Sequence, residues 1–288
     1  MRLTRDVLGA VVLGLAAVGA ASAANINKAS ASSHRNEAKQ TEHLSNSGSV
    51  TFAPGNLTDG VTLPTNPALE LSHGYELLQN LDAEGGPADV DVYRISQKPF
   101  SSYEAVVDAT SGDIGPTLQM DRIDIASSTV IQSAQGTGVG FSRTISWINA
   151  TSNVVETEGI RVQSGQCTTD CGPDDVYNIR GYETTYSIPR FNNAGTQVTV
   201  LLLQNPNNYV INANVYFWNP AGALVGQQTF VLQPKGLAVF NTAAVAPGVG
   251  GSVTIAHDGR YSDLAAKTVA LEPATGFSFD SPALPRLK

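Results

Sequence analysis

Apolar and polar side chains alternate along several short stretches of the chain, and this alternation predicts β-strands. In SYEAVVDA (102–109), Glu104 and Asp108 fall on one side, and the other side carries Tyr103, Ala105, Val107 and Ala109. Because successive side chains of a strand point to opposite faces, the pattern predicts a strand with one buried face. The same spacing recurs in three pairs: Leu118 with Met120, Ile145 with Trp147, and Ile160 with Val162.

The second half of the chain holds a denser series of strand candidates, at 196–205, 211–218, 228–233, 237–240, 252–257 and 266–271. Segment 211–218, INANVYFW, alternates throughout, so that Ile211 and Phe217 face one way while Tyr216 and Trp218 face the other. No stretch has a convincing helical period, and ALELSHGYELL (68–78) is compatible with a short helix or a strand. The fold class is therefore predicted to be all-β.

The connections in the second half carry residues that are typical of turns. NPAG (219–222) and QPKG (233–236) have Pro at the second position and Gly at the fourth, which predicts type I turns. Asp258 and Gly259 predict a tight hairpin. Strands about ten residues apart, joined by such turns, indicate antiparallel β-sandwiches. The length after export suits two domains.

The first 24 residues have the form of a secretory signal peptide. Arg2 and Arg5 precede an apolar run, and small residues up to Ala23 follow it. An uncleaved membrane anchor is the alternative. Residues 25–49 are predicted to form a disordered leader, because they cannot bury enough apolar surface to offset the entropy lost on ordering. We expect export to the periplasm, the cell surface or the extracellular space.

The charge balance is acidic, since 17 Lys and Arg oppose 25 Asp and Glu in the whole chain. Loss of Arg2, Arg5 and Asp6 with the signal peptide leaves 15 basic and 24 acidic residues, a formal charge of −9. Such a chain repels phosphate backbones, so no nucleic-acid partner is expected. Beyond the signal peptide the most apolar stretch is VTVLLL (198–203), which is too short for a transmembrane segment.

Both cysteines lie in QCTTDCGPDDVY (166–177), between the two halves. Two cysteines in an exported chain are usually paired, so we predict a Cys167–Cys171 disulfide. An extended backbone would hold the two α-carbons roughly 13 Å apart, so the residues between them must turn back. A thiol-redox pair, a zinc site and a nucleophilic cysteine are the alternatives. A thiol-redox pair usually has two residues between its cysteines, not three, and lies at a helix start in a βαβ unit, which the sequence does not indicate. Zinc and a nucleophilic cysteine each need partners that the neighbouring sequence lacks.

Two groups of side chains are candidates for binding. Hard oxygen ligands around a glycine-rich loop suit Ca²⁺, and a solvated acidic turn is the alternative; the candidate metal ligands are Asp82, Glu84, Asp89 and Asp91. Asp170, Asp174 and Asp175 form a second, weaker cluster. A carbohydrate-stacking face is the second prediction, with core packing as its alternative; its candidates are Tyr209, Tyr216 and Trp218.

Signatures of common catalytic sites are absent from the sequence, including G-x-S-x-G, H-E-x-x-H and the phosphate-binding glycine loop. A dispersed Ser/His/carboxylate site is the enzymatic alternative. Of the four histidines, only His73 and His257 lie outside the leader and so remain candidates for it.

Residues 82–124 resemble the bacterial pre-peptidase C-terminal domain. The matching residues are Asp89, Asp91, Tyr93, Tyr103, Val107, Leu118, Met120 and Asp121, whereas Val92 stands where the family often has Trp. The resemblance covers roughly residues 60–165. It implies a jelly-roll-like sandwich on a secreted bacterial protein, Ca²⁺ at acidic loops in some members, and a role in secretion or in holding insoluble substrates. The second half looks like an immunoglobulin-like sandwich.

The predicted layout is a β-sandwich domain at 50–165, a disulfide-clipped junction at 166–175 and a second β-sandwich domain at 176–288. We expect a secreted, non-catalytic binding, adhesion or envelope protein, whose partner is an extracellular polymer or cell-surface component such as a polysaccharide or protein polymer. The alternatives are a secreted hydrolase and an accessory module of an extracellular peptidase. The sequence does not set the oligomeric state.

Overall fold

The computed structural model of the chain describes residues 69–81, 90–112, 114–136, 142–149, 154–165, 172 and 174–286. The signal peptide, the leader and the predicted Cys167–Cys171 disulfide lie outside the described residues, and they stay predictions. Within the described ranges, no helix is long and apolar enough to cross a bilayer.

The first half of the described chain forms two antiparallel sheets. Its strands are β1 (Glu76–Asn80), β2 (Val90–Gln97), β3 (Ser101–Ala109), β4 (Leu118–Ile123), β5 (Val130–Ser133), β6 (Gln135–Gly136), β7 (Ser142–Asn149), β8 (Glu156–Ser164) and β9 (Val176–Glu183). One sheet has the order β1-β9-β3-β7-β6 and the other has the order β2-β8-β4-β5. Buried residues of both sheets form one core, so we call these sheets the first sheet pair.

The second half also forms two antiparallel sheets. Its strands are β10 (Tyr186–Asn192), β11 (Val198–Gln204), β12 (Ile211–Trp218), β13 (Leu224–Leu232), β14 (Leu237–Asn241), β15 (Gly250–His257), β16 (Ala265–Glu272), β17 (Phe277–Pro282) and β18 (Leu284–Pro285). The sheet orders are β13-β12-β15-β10-β18 and β14-β11-β16-β17. A separate core joins them into the second sheet pair.

The predictions of an all-β fold and of antiparallel pairing are confirmed. The three alternating pairs of the first half are all buried in the first core, as the two-residue spacing requires. In β12, Ile211 and Phe217 are fully buried in the second core. In the candidate segment 68–78, the described residues 69–78 are not helical, and Gly74 has a positive φ of 76° just before β1.

The boundary between the two halves lies later than the sequence predicts. The predicted second domain begins at residue 176, but β9 (Val176–Glu183) pairs with β1 and β3 of the first sheet pair. Thr184 and Thr185 alone separate β9 from β10, and both residues are buried. The described residues of both sheet pairs belong to one compact unit. The division into two domains therefore stays a prediction.

Two of the turn predictions are wrong in detail. QPKG (233–236) closes with a 2.8 Å bond from Gly236 N to Gln233 O, but Lys235 has a φ of 59°. A positive φ at the third position excludes a type I turn and fits a type II turn. Asp258 and Gly259 form no hairpin, because β15 and β16 belong to different sheets.

Candidate functional site

The predicted aromatic face of β12 lies at the contact between the two sheet pairs. Phe100, in the β2–β3 loop, places its ring centre 4.9 Å from that of Tyr216 and 5.0 Å from that of Trp218, both edge to face. Tyr216 is only 3% exposed, whereas Trp218 is partly exposed. Burial raises the pKa of Tyr216. Tyr216 therefore belongs to this contact and is not available to stack on a ligand, which corrects the prediction for this residue.

Tyr209 does not join the other two aromatic candidates. Tyr209 lies two positions before Ile211, the first residue of β12, whereas Trp218 is the last residue of that strand. The seven residue steps from Ile211 to Trp218 span roughly 23 Å. The Tyr209 hydroxyl donates to the carboxylate of Asp263. The three predicted binding residues thus fall at two separate places, and only Trp218 lines a groove.

A shallow, open groove of about 800 Å³ lies on the sheet that contains β10, β12 and β15. Trp218 and the turn that follows it form one side, and residues of β10 around Pro189 and Arg190 form another. Ser252 and Thr254 of β15 also line it. The sequence singled out Trp218 but not the groove, because β10 and β15 are distant in sequence and meet only through pairing.

A closely packed glycine and a strand irregularity lie at the groove. A Cβ on Gly251 would lie 1.8 Å from the carbonyl oxygen of Trp218, so only glycine fits where β15 passes β12. The pairing of β10 with β15 shifts register between Ile188 and Phe191, which is the place of Pro189 and Arg190. Such a bulge bends a strand and re-aims side chains locally.

Several polar groups of the groove have spare hydrogen-bonding capacity. The indole Nε1 of Trp218 donates to Thr254 Oγ1 at 3.0 Å. Asn219 Oδ1 accepts two backbone N–H groups of its own turn. Among the described residues, Asn219 Nδ2 and Ser252 Oγ form no hydrogen bond, and the guanidinium of Arg190 has no carboxylate partner. The Cζ atom of Arg190 lies 4.7 Å from the ring centre of Phe279.

Of the predicted metal ligands, only Asp91 lies within the described residues; Asp82, Glu84 and Asp89 lie outside them. Asp91 accepts a hydrogen bond from the buried hydroxyl of Tyr177, which also bonds to the hydroxyl of Tyr93. Burial, reinforced by Tyr93 and Asp91, raises the pKa of Tyr177 well above its ordinary value. In the described part of the chain no group of three acidic, His or Cys side chains is placed to hold a metal ion.

Glu104, which the strand pattern places opposite the first core, is nevertheless only 4% exposed. Its Oε2 accepts the backbone N–H of Tyr261 from the second sheet pair, at 2.7 Å. Burial raises the pKa of Glu104 to about 6, although the Tyr261 N–H and the charge of Arg260 oppose this rise. The polar face of β3 is therefore covered by the second half of the molecule.

Neither candidate histidine faces the groove. His73 accepts the backbone N–H of Glu183 at its Nδ1, at 2.8 Å, and its ring lies 5.8 Å from that of Tyr261. His257 is completely buried, and burial lowers its pKa to about 4, with the backbone of Thr184 opposing the change. A substrate in the groove would not reach an imidazole that is fully enclosed.

No protein-family model matches the chain, and no curated protein matches it. Among solved structures, the chain is similar to a Bacteroides uniformis β-glucuronidase, with 10% identity over 68% of this chain and 26% of that chain and a TM-score of 0.19. It is also similar to the VP2 subviral particle of infectious bursal disease virus, with 12% identity over 65% of this chain and 62% of that chain and a TM-score of 0.17.

The chain spans about a quarter of the length of the β-glucuronidases that it matches. At these TM-scores, the similarities do not support any function for this chain. The resemblance of residues 82–124 to the pre-peptidase C-terminal domain therefore gains no support and stays an expectation.

Proposed function

We propose that the protein is exported and acts as a non-catalytic binding module that holds a segment of an extracellular polysaccharide in the groove beside Trp218. The composition of the groove is the observation that carries this proposal. Its described lining combines one partly exposed tryptophan with neutral polar groups and one arginine, and it includes no carboxylate and no imidazole.

The shape and chemistry of the groove suit a sugar chain better than a small molecule. An open groove lets a polymer run through it, whereas small-molecule sites enclose most of their ligand. A tryptophan ring offers apolar area, and amide, hydroxyl and guanidinium groups can donate hydrogen bonds to sugar hydroxyls. Hydrolysis of a glycosidic bond ordinarily needs a pair of carboxyl groups, which the described lining lacks.

The direct test is a binding panel with the full-length exported protein. Neutral and acidic polysaccharides are titrated by calorimetry, with and without added Ca²⁺, and we expect at least one to bind. Trp218→Ala should then weaken binding roughly tenfold, which corresponds to about 1.4 kcal/mol. Tyr75→Ala is the matched control, because Tyr75 is an aromatic residue that is 65% exposed and lies outside the groove.

A second pair of variants separates a local effect from a change in fold or net charge. Arg190→Gln should weaken binding, whereas Lys267→Gln, which removes the same charge from the other sheet of the second pair, should not. Absence of binding across the panel, or equal affinity of wild type, Trp218→Ala and Arg190→Gln, would reject the proposal. If polysaccharide binding requires Ca²⁺ and Asp91→Asn abolishes that Ca²⁺-dependent binding, the predicted acidic metal site gains support.

A further inference from the structure

We infer that Phe100 of the first sheet pair is a positioning residue for the groove of the second sheet pair. The inference rests on the proposed function, because it gives a role in binding to a residue outside the groove. Trp218 is the shared element: it lines the groove, and its ring centre lies 5.0 Å from that of Phe100. A side chain of the first half thus contacts the tryptophan that lines the groove of the second half.

The loop that carries Phe100 is held in an uncommon backbone conformation. Phe100 has a φ of 57°, in the left-handed region that a bulky residue rarely adopts. Around it, Lys98 N donates to Tyr103 Oη at 2.6 Å, and Ser101 Oγ donates to Pro99 O at 3.2 Å. Such conformations persist where the surrounding structure determines them, and they are concentrated at functional positions.

The indole of Trp218 is oriented from two directions. Its Nε1 donates to Thr254 Oγ1 at 3.0 Å, and the ring of Phe100 meets it at an interplanar angle of 77°. Phe100 also packs against Tyr216, which lies 6.5 Å from Trp218 between ring centres. A ring held in its binding orientation loses less conformational freedom when a ligand stacks on it, so preorganisation raises affinity.

This arrangement couples the groove to the contact between the sheet pairs. If Phe100 strengthens binding by holding Trp218, then a bound ligand must strengthen the contact of Phe100 with Trp218 by the same factor. The first sheet pair therefore contributes to affinity without touching the ligand.

The test measures the environment of Trp218 and the affinity of the groove separately. The chain has two tryptophans, so protein labelled with 5-fluorotryptophan gives two ¹⁹F resonances, which Trp218→Phe assigns. Phe100→Ala should shift or broaden the Trp218 resonance and weaken polysaccharide binding roughly tenfold. The resonance of the buried Trp147, whose Nε1 donates to Gln97 Oε1 at 2.7 Å just before the Phe100 loop, should shift less. Phe100→Tyr keeps the ring and should restore both readouts, and Phe277→Ala is the control at an exposed phenylalanine.

The outcomes separate this inference from the proposed function. If Phe100→Ala leaves both the Trp218 resonance and the affinity for the polysaccharide unchanged, the inference is overturned, even if the polysaccharide binds. If Phe100→Ala perturbs Trp218 but no polysaccharide binds the wild type, the proposed function fails, and with it the role of Phe100 in binding. A Trp147 resonance that stays sharp and close to its wild-type position shows that the first core of the variant is folded.

Discussion

At the scale of single residues, burial moves the pKa values of Glu104 and His257 in opposite directions. Glu104 on β3 has a pKa raised to about 6, and His257 on β15 has a pKa lowered to about 4. In both cases burial is the largest cause, since a low-dielectric surrounding disfavours the charged form. Each side chain makes the free energy of unfolding depend on pH, with opposite signs.

His257 should make the protein less stable in mild acid. Its folded pKa lies below its ordinary value of 6.5, so the unfolded chain binds the proton more readily. Its contribution is fully present above pH 6.5 and is lost as the pH falls towards 4. Between pH 7 and pH 4, the free energy of unfolding of His257→Gln should fall less than that of the wild type, by on the order of 3 kcal/mol. Urea titrations at pH 7, 5.5 and 4 measure this difference.

Glu104 should have the opposite effect. Its folded pKa lies above its ordinary value of 4.5, so its contribution to stability is present below pH 4.5 and is lost as the pH rises through 6. We expect Glu104→Gln to be more stable than the wild type at pH 7.5, by on the order of 2 kcal/mol, and to lose this advantage at pH 4. An advantage that is the same at both pH values would show that the charge of Glu104 is not the cause.

At the scale of strands, Gly251 controls how closely β15 approaches β12. A methyl group there would lie 1.8 Å from Trp218 O, a backbone atom that cannot move without disturbing β12. We expect Gly251→Ala to lower the free energy of unfolding by roughly 2 to 3 kcal/mol, as overpacking does, and to abolish binding in the groove.

Gly165→Ala is the matched control for this prediction. The nearest atom to a Cβ on Gly165 is Thr117 Cβ at 4.0 Å, so the added methyl group makes only an ordinary van der Waals contact. Thermal unfolding of both variants, compared with the wild type, checks the expectation. A Gly251→Ala protein as stable as Gly165→Ala would mean that the approach of the two strands is not tight in solution.

The strands were the most predictable part of this molecule, because the alternation that identifies them is local. The period of β12 correctly places Ile211 and Phe217 in the core. The turn at 233–236 was only half predictable, since Pro and Gly mark a turn, but the positive φ falls on Lys235, a residue type without that preference.

The candidate site was less predictable, because distant residues decide what covers a strand face. Tyr216 and Trp218 share one face of β12, yet Tyr216 is buried and Trp218 is partly exposed. Both rings contact Phe100, which lies more than a hundred positions earlier in the chain, and Trp218 also lines the groove beside the irregular part of β10. No periodic pattern encodes such contacts, and the same reason hides the burial of Glu104.

At the scale of the whole molecule, the predicted export and the predicted disulfide together have a measurable signature. Protein collected outside the cytoplasm should begin near residue 25 and should contain no titratable thiol before reduction and two after it. Intact mass and thiol titration under denaturing conditions measure both features. Two free thiols in such material would contradict the predicted Cys167–Cys171 pairing.

The contact between the sheet pairs should make them unfold together. Thr184 N donates to Ser102 O at 2.8 Å, and Ser102 N donates to Thr185 Oγ1 at 2.9 Å, so the short link after β9 is bonded back to the first sheet pair. These groups are buried, and a buried group that loses its partner costs about 1 to 3 kcal/mol. Together with the bond from Tyr261 N to Glu104 Oε2, these bonds connect both the link and the second half of the chain to β3.

Differential scanning calorimetry of the wild type should show one transition whose calorimetric and van't Hoff enthalpies agree. Thr185→Val keeps the shape of the side chain but removes the acceptor of Ser102 N, so it should lower the transition temperature or split the transition in two. Thr229→Val is the control, because the exposed Thr229 hydroxyl bonds only within its own sheet, to Asn214. Two transitions in the wild type would show that the sheet pairs are energetically independent, and the link would then be only a covalent connection.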